Sequence, residues 1–156
     1  MHNLTLTDES AMAVALAEAE KARATGDVPV GAVVFAGDGT LLARAHNERE
    51  RQGDPTAHAE ILALRRAAAA VGSWRLGGAN LVVTLEPCPM CAGAVVAARL
   101  ARVVFGAADP KGGACGSLYN LCCDPRLNHQ VDVEGGMLAA ECARVLSSFF
   151  VQRRNQ

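Results

Sequence analysis

The sequence predicts an α/β protein, a three-layer α/β/α sandwich built on a mixed five-stranded sheet. Three observations carry this expectation. The apolar runs at 28–35 and 81–85 are nearly unbroken, as in strands buried on both faces. An Ala-rich stretch of helical length, 88–99, lies between the second run and the Arg-Val-Val-Phe segment at 102–105. That order makes a βαβ unit, hence a parallel pair with a right-handed crossover. The turn sequence Gly37-Asp38-Gly39 instead joins the first run to the next strand as an antiparallel hairpin.

The elements follow in order. Thr7 caps a first helix whose opening turn carries Asp8 and Glu9, and Met12, Leu16 and Ala19 recur at helical spacing until Gly26 stops it after Ala24. The strand at 28–35 admits Pro29 only near its start or at an edge. A second strand covers 40–45, and a polar loop covers 46–55 with four successive charges at 48–51. A helix at 57–71 places Ile61, Leu64 and Ala68 on one stripe, with Gly72 as its end. Strand 81–85, helix 88–99 and strand 102–105 form the crossover unit, and a Gly-rich loop covers 107–117. A short helix at 118–122, a fifth strand at 130–133 and a last helix at 137–152 complete the chain; Leu138, Cys142, Val145, Leu146 and Phe149 line one side of that helix. No repeat or low-complexity linker interrupts the chain, so one domain over 1–156 is expected.

Composition bounds the class. Apolar content of 51% and charged content of 20% suit an ordinary folded protein, and a net charge of −1 leaves room for a local basic patch. With no secretion-type leader and no apolar run of membrane length, neither export nor membrane insertion is expected. Six cysteines then read as metal ligands or free buried thiols in a reducing compartment, the cytoplasm.

The chemistry concentrates in two pieces, Pro55-Thr56-Ala57-His58-Ala59-Glu60 and Thr84-Leu85-Glu86-Pro87-Cys88-Pro89-Met90-Cys91-Ala92-Gly93. Each opens a helix after a turn or a strand end, where a site at the C-terminal edge of an α/β sheet belongs. Cysteines three apart share one helical face, and the helix N-terminus favours the thiolate. His58, Cys88 and Cys91 make three ligands. A closed structural zinc site takes four, whereas a catalytic one keeps a position for water. Zinc acidifies such a water from about 15.7 toward roughly 7. Glu60, two residues past His58, is placed to take its proton and pass it to a substrate.

The spacing H-x-E…P-C-x-x-C is the established signature of zinc deaminases. On these residues the chain resembles the cytidine/deoxycytidylate deaminase superfamily. Further matches at Asp27–Val33, His46-Asn47, Arg102–Ala107, Gly116-Ser117-Leu118, Asn128-His129 and Phe149-Phe150 make it similar to the bacterial tRNA-specific adenosine deaminases. The resemblance implies a cytidine deaminase-like fold and hydrolysis of the anticodon wobble adenosine to inosine, chiefly in an arginine tRNA. It implies one zinc per subunit on His58, Cys88 and Cys91, with attack at C6 and Glu60 as proton shuttle. It implies that Asn47 holds the extruded base, and that Asp109, Lys111, Phe150, Arg153 and Arg154 grip the anticodon stem-loop of a tRNA. It also implies a homodimer, for which the Ala- and Gly-rich segment 88–99 offers close packing; the same small residues equally suit helix–sheet contact within one chain.

Two other functions share parts of this pattern. A nucleobase or nucleoside deaminase acting on guanine or cytosine would use the same zinc and Glu60, and a non-enzymatic zinc module would need a fourth protein ligand. Cys115, Cys122, Cys123 and Cys142 lack ligand spacing and read as small buried apolar groups. His2, His46 and His129 read as incidental or structural, and Arg65-Arg66 as a solvated helix face.

Overall fold

In the computed structural model, which describes residues 5–155, Thr7 opens the first helix, α1 (Asp8–Ala22). Its hydroxyl accepts from the Ser10 N–H at 3.2 Å while the Ser10 hydroxyl accepts from the Thr7 N–H at 2.8 Å. This reciprocal cap satisfies two donors that a helix start leaves unpaired. A tight turn, Arg23–Thr25, ends in Gly26 with a left-handed φ of 73°. His2 lies outside the described residues.

The strands are β1 (Gly31–Phe35), β2 (Leu41–His46), β3 (Asn80–Leu85), β4 (Arg102–Ala107) and β5 (Asp132–Gly135). They lie in the order β2-β1-β3-β4-β5. The pairs β1–β2 and β1–β3 are antiparallel, whereas β3–β4 and β4–β5 are parallel. The mixed sheet expected from the hairpin and the crossover is therefore present. The remaining helices are α2 (Arg49–Gln52), α3 (Ala59–Val71), α4 (Pro89–Ala97) and α5 (Ala139–Arg154).

Alternate strand residues feed two cores, which makes the three layers. Val33, Phe35, Val82 and Val104 face Ala11, Met12 and Ala15 of α1 and Cys142 of α5. Ala32, Val34, Leu81, Val83 and Val103 face Ala63 and Ala67 of α3 and Val95 of α4. Each fully buried valine contributes roughly 1.5–3 kcal/mol. The helix residues are mostly alanines, so helices sit close to the sheet; at Gly31 a Cβ would fall 1.8 Å from the Ala15 carbonyl oxygen.

Several boundaries depart from the sequence reading. β1 begins at Gly31 rather than residue 28, because Pro29 has no N–H to offer a ladder and Val30 N–H turns back to Val28 O at 2.9 Å. The polar loop contains the one-turn α2, capped from a distance by Asp27, whose oxygens accept from the N–H groups of Glu50 and Arg51 at 2.6 and 3.2 Å. The turn near 118–122 is a 3-10 turn at Leu121–Cys123, and β5 starts two residues late. α5 starts at Ala139, after Leu138 in a left-handed conformation (φ 52°). Of the stripe Ile61, Leu64, Ala68, only Leu64 enters the core, together with Ala59, Leu62, Ala63 and Ala67, whereas Ile61 and Ala68 remain half-buried. Cys123 is exposed, unlike Cys115, Cys122 and Cys142. Arg66 is more than a solvated charge, since it donates to Arg44 O at 2.9 Å and Glu48 Oε2 at 3.2 Å. His46 and His129 are structural, bonded to Glu18 at 3.0 Å and Leu100 O at 2.7 Å. No helix among the described residues is long and apolar enough to cross a membrane.

The closeness of α1 to β1 sets a test. Gly31→Ala places a methyl against helix backbone that cannot yield, so stability falls by about 3 kcal/mol or more, measured as a lowered urea midpoint with an unchanged slope.

Candidate metal centre and substrate cleft

Two helix starts position the ligating side chains. β3 ends at Leu85, and Glu86-Pro87 lead to Cys88, the N-cap of α4, with Pro89 just inside the helix where a missing N–H costs nothing. His58 is the N-cap of α3. Neither cap spends its side chain on its own helix, so both side chains serve the centre. His58 Nδ1 lies 3.6 Å from Cys88 Sγ and 3.5 Å from Cys91 Sγ. Zinc held at about 2.0–2.1 Å from nitrogen and about 2.3 Å from sulfur, at a tetrahedral angle, separates those donors by about 3.6 Å. The spacing fits a tetrahedral ion, and one imidazole with two thiolates is a donor set that suits zinc. Among the described residues no other trio of His, Cys, Asp or Glu converges in this way.

The trio is electrostatically prepared. A hydrogen bond from the Cys91 thiol, followed by one from His58, holds the Cys88 thiol down at about 4 against the opposing effect of burial. Cys91 is pushed up because it donates to Cys88 and is itself buried. The bond to Cys88 also raises His58. A divalent cation held by His58, Cys88 and Cys91 would take the place of the protons these groups share. Glu60, only 4% exposed, has its carboxyl raised by burial. A carboxyl that keeps a proton more readily than usual is suited to passing one on.

A cleft of about 150 Å³ opens onto the centre. Its lining brings together Asn47, Arg49, His58, Glu60, Cys88 and Asp109. Its volume falls below the roughly 300–1,000 Å³ of drug-sized pockets, a scale that suits a small ring system. A larger depression of about 590 Å³ around Phe150, Arg153 and Arg154 shares no lining residue with it. Donor chemistry, not size, identifies the reactive cleft.

The expected site residues divide accordingly. Asn47 is 6% exposed; its Nδ2 donates to Val28 O at 3.2 Å and its Oδ1 accepts from Arg49 N–H at 3.3 Å. One amide hydrogen and one oxygen lone pair remain for a ligand. The Asp109 carboxylate is turned toward its own loop, accepting from the N–H groups of Lys111 and Gly112 at 3.1 and 3.2 Å. Lys111 is exposed outside the cleft, and Phe150 and Arg154 are exposed on the larger depression. Arg153 stands between: it donates to Gly26 O at 3.3 Å, lies 5.4 Å over the Phe149 ring, and lines a small recess with Asn47 and Arg49.

Two cleft residues escaped the sequence reading. Arg49 was hidden in the charged run 48–51, and only the hairpin-to-helix path brings its cation to the mouth. Glu86 sat inside a recognised motif, but its carboxylate points to a contact network that spacing does not disclose.

Comparison with known proteins agrees with this chemistry. The family model for MafB19-like deaminases matches residues 6–154. The tRNA-specific adenosine deaminase of Bacillus subtilis (strain 168) is 53% identical over 149 residues, covering 96% of this chain and 92% of that protein. A solved structure from work on A-to-I editing by tRNA:A34 deaminases at the wobble position superposes with a TM-score of 0.83 at 46% identity, over 87% of this chain and 98% of that one. The guanine deaminase from Nitrosomonas europaea gives 0.78 at 26% identity, over 95% and 86%. With a matching model over nearly its whole length and relatives this similar, the chain belongs to the MafB19-like deaminase family and to the tRNA-specific adenosine deaminases.

Proposed function

We propose that this protein converts the wobble adenosine of a tRNA anticodon to inosine, consuming water and releasing ammonia, with an arginine tRNA as its chief substrate. The observation that carries this reading is a buried carboxylate, Glu60, beside the His58-Cys88-Cys91 trio in a cleft for one base. The activity of the relatives supports adenosine in tRNA as the substrate. His58, Cys88 and Cys91 would hold one zinc per subunit, which would supply acidity to a water molecule attacking C6. Glu60 accepts one proton from the attacking water and delivers it to N1, then takes the proton of the new C6 hydroxyl and passes it to the departing amine, which leaves the C6 carbonyl of inosine. Asn47 offers its remaining amide hydrogen and oxygen lone pair to the edge of the base.

A duplex base cannot reach a site this deep, so the nucleotide must be splayed from its loop. Arg49 and Arg153 supply cations near the cleft, and Asp109, Lys111, Phe150 and Arg154 extend the grip along the anticodon loop. Within a chain of net charge −1 this is a local basic surface, and it acts only at short range. Six free cysteines suit a reducing cytoplasm. The homodimer forms through a shallow apolar groove where Ile61, Leu64 and Ala68 of α3 meet Ala94, Ala97 and Ala98 of α4. Trp74, 59% exposed, stands beside it with Arg75 at 4.9 Å.

The second reading is a free-base deaminase, favoured by the shared fold of the guanine deaminase. The deciding assay offers purified, zinc-loaded protein an anticodon stem-loop with the wobble adenosine and, separately, guanine, cytosine, cytidine and adenosine. Inosine in the RNA is expected; ammonia from the free compounds without inosine assigns the second reading instead. Glu60→Gln lowers the rate by roughly 10²–10⁴-fold while zinc content stays level, and near wild-type turnover would remove the proton shuttle. Cys91→Ser strips the metal, read by elemental analysis of the folded protein. Ala97→Glu, at an exposed groove position, yields a monomer in sedimentation; an unchanged mass places the interface elsewhere.

A further inference from the structure

Glu86 is 3% exposed, and no step above uses it. Its carboxylate is the hub of the segment that leaves β4. Oε1 accepts from the Asp109 N–H at 3.0 Å and from the Ser117 hydroxyl, and Oε2 accepts from the N–H groups of Cys115 and Ser117, both at 3.0 Å. Two partners on each oxygen fill the acceptor capacity of the group. Burial alone would raise this carboxyl, but the donors from Ser117, Asp109 and Cys115 outweigh it and hold the group below the ordinary range. Hydrogen bonds to an ionised acceptor are about twice as strong as neutral ones.

The loop is wrapped around this charge. A Cβ at Gly113 would fall 2.2–2.5 Å from the carboxylate atoms, so only glycine lets the backbone pass. Gly113 N–H donates to Asp109 O at 2.8 Å, Leu118 N–H to Gly113 O at 2.9 Å, and Ala114 N–H to Pro87 O at 2.8 Å. Residues 109–117 include neither helix nor strand, and apolar burial there is confined to Ala114 and Cys115. A surface loop of this length ordinarily samples many shapes. Here one buried side chain gathers its two ends, and Asp109 and Glu86 both line the cleft.

We propose that Glu86 is a positioning residue for substrate capture: by holding residues 109–117 in one shape it fixes a wall of the cleft, and so sets the affinity for the RNA strand rather than the rate of deamination. This rests on the RNA reading above. A residue that served only the overall fold would change the amount of active protein, and with it kcat, leaving KM where it was.

The test uses zinc-loaded, full-length protein carrying Glu86→Gln. Whichever oxygen becomes the amide nitrogen, at least one backbone N–H loses its acceptor. Amide exchange within 109–117 is expected to quicken about ten- to hundredfold, with α3 and α4 unchanged. On the anticodon stem-loop, KM rises about tenfold while kcat per bound zinc stays within about threefold. Ser117→Ala removes one donor and leaves no backbone group unpaired, so it gives a smaller shift of the same kind in a folded protein. On the Glu86→Gln background it adds little. Unchanged exchange in the loop, or a fall in kcat at constant KM, overturns the proposal. Should wild-type protein leave the stem-loop unedited, the RNA reading fails by itself, and the exchange data still report whether Glu86 holds the loop.

Discussion

Two helix N-termini meet at one end of the sheet, and the rest of the site depends on that meeting. α3 starts at His58 and α4 at Cys88, each with unpaired N–H groups and the positive end of its dipole directed at the same few ångströms. Such a place favours anions, and so suits thiolates that could hold a metal ion. The topology leaves little alternative. A parallel β3–β4 pair needs its crossover on one face, and α4 provides it, so the start of α4 falls at the C-terminal end of β3. α3 covers β1 and β2 on the same face, and its start falls beside that of α4.

The Asn47 segment of the cleft is braced by buried carboxylates. Asn47 lies between His46 and Glu48. His46 is held by Glu18, which also accepts from Lys21 at 2.8 Å; Glu48 is held by Arg51 at 2.8 Å and Arg66 at 3.2 Å. With their partners half-exposed or more, the Lys and Arg pairs contribute only about 0–1 kcal/mol each as attractions. Their larger effect is to satisfy Glu18 and Glu48, each 4% exposed, because an unpartnered buried carboxylate costs far more than that. The Asn47 backbone N–H is fixed as well, donating to Val30 O at 3.1 Å. The Asn47 side chain, which lines the cleft, is therefore held through both of its neighbours and its own main chain.

Much of this was legible in the sequence, for reasons that separate cleanly. Strands 81–85 and 102–105 announced themselves because burial on both faces demands continuous apolar runs, and the crossover helix followed from its length. The metal trio was legible because a metal imposes residue types and spacing locally. Long-range capping was not: α2 is a helix turn because Asp27, more than twenty residues earlier, accepts its N–H groups, and no window along the chain contains both. The α3 stripe was only partly right, because Ala59, Ala63 and Ala67 join Leu62 and Leu64 in the core against a sheet approached this closely, while Ile61 and Ala68 stay half-buried. Arg49 was passed over because a charge in a polar run reveals nothing of the wall it comes to line, and Glu86 because its donors lie more than twenty residues further along the chain.

The clasp between the last helix and the turn after α1 ties the far end of the chain to its chemistry. Arg23 donates to Val145 O at 2.7 Å and to Ser148, and Arg153 returns the grip on Gly26 O. Gly26 adjoins Asp27, the cap of the small helix that carries Arg49. A cut or fusion near Arg153 is thus a mechanical event at the binding mouth, relayed through a handful of covalent links. The C-terminal helix and the rim of the cleft are in this way one connected structure.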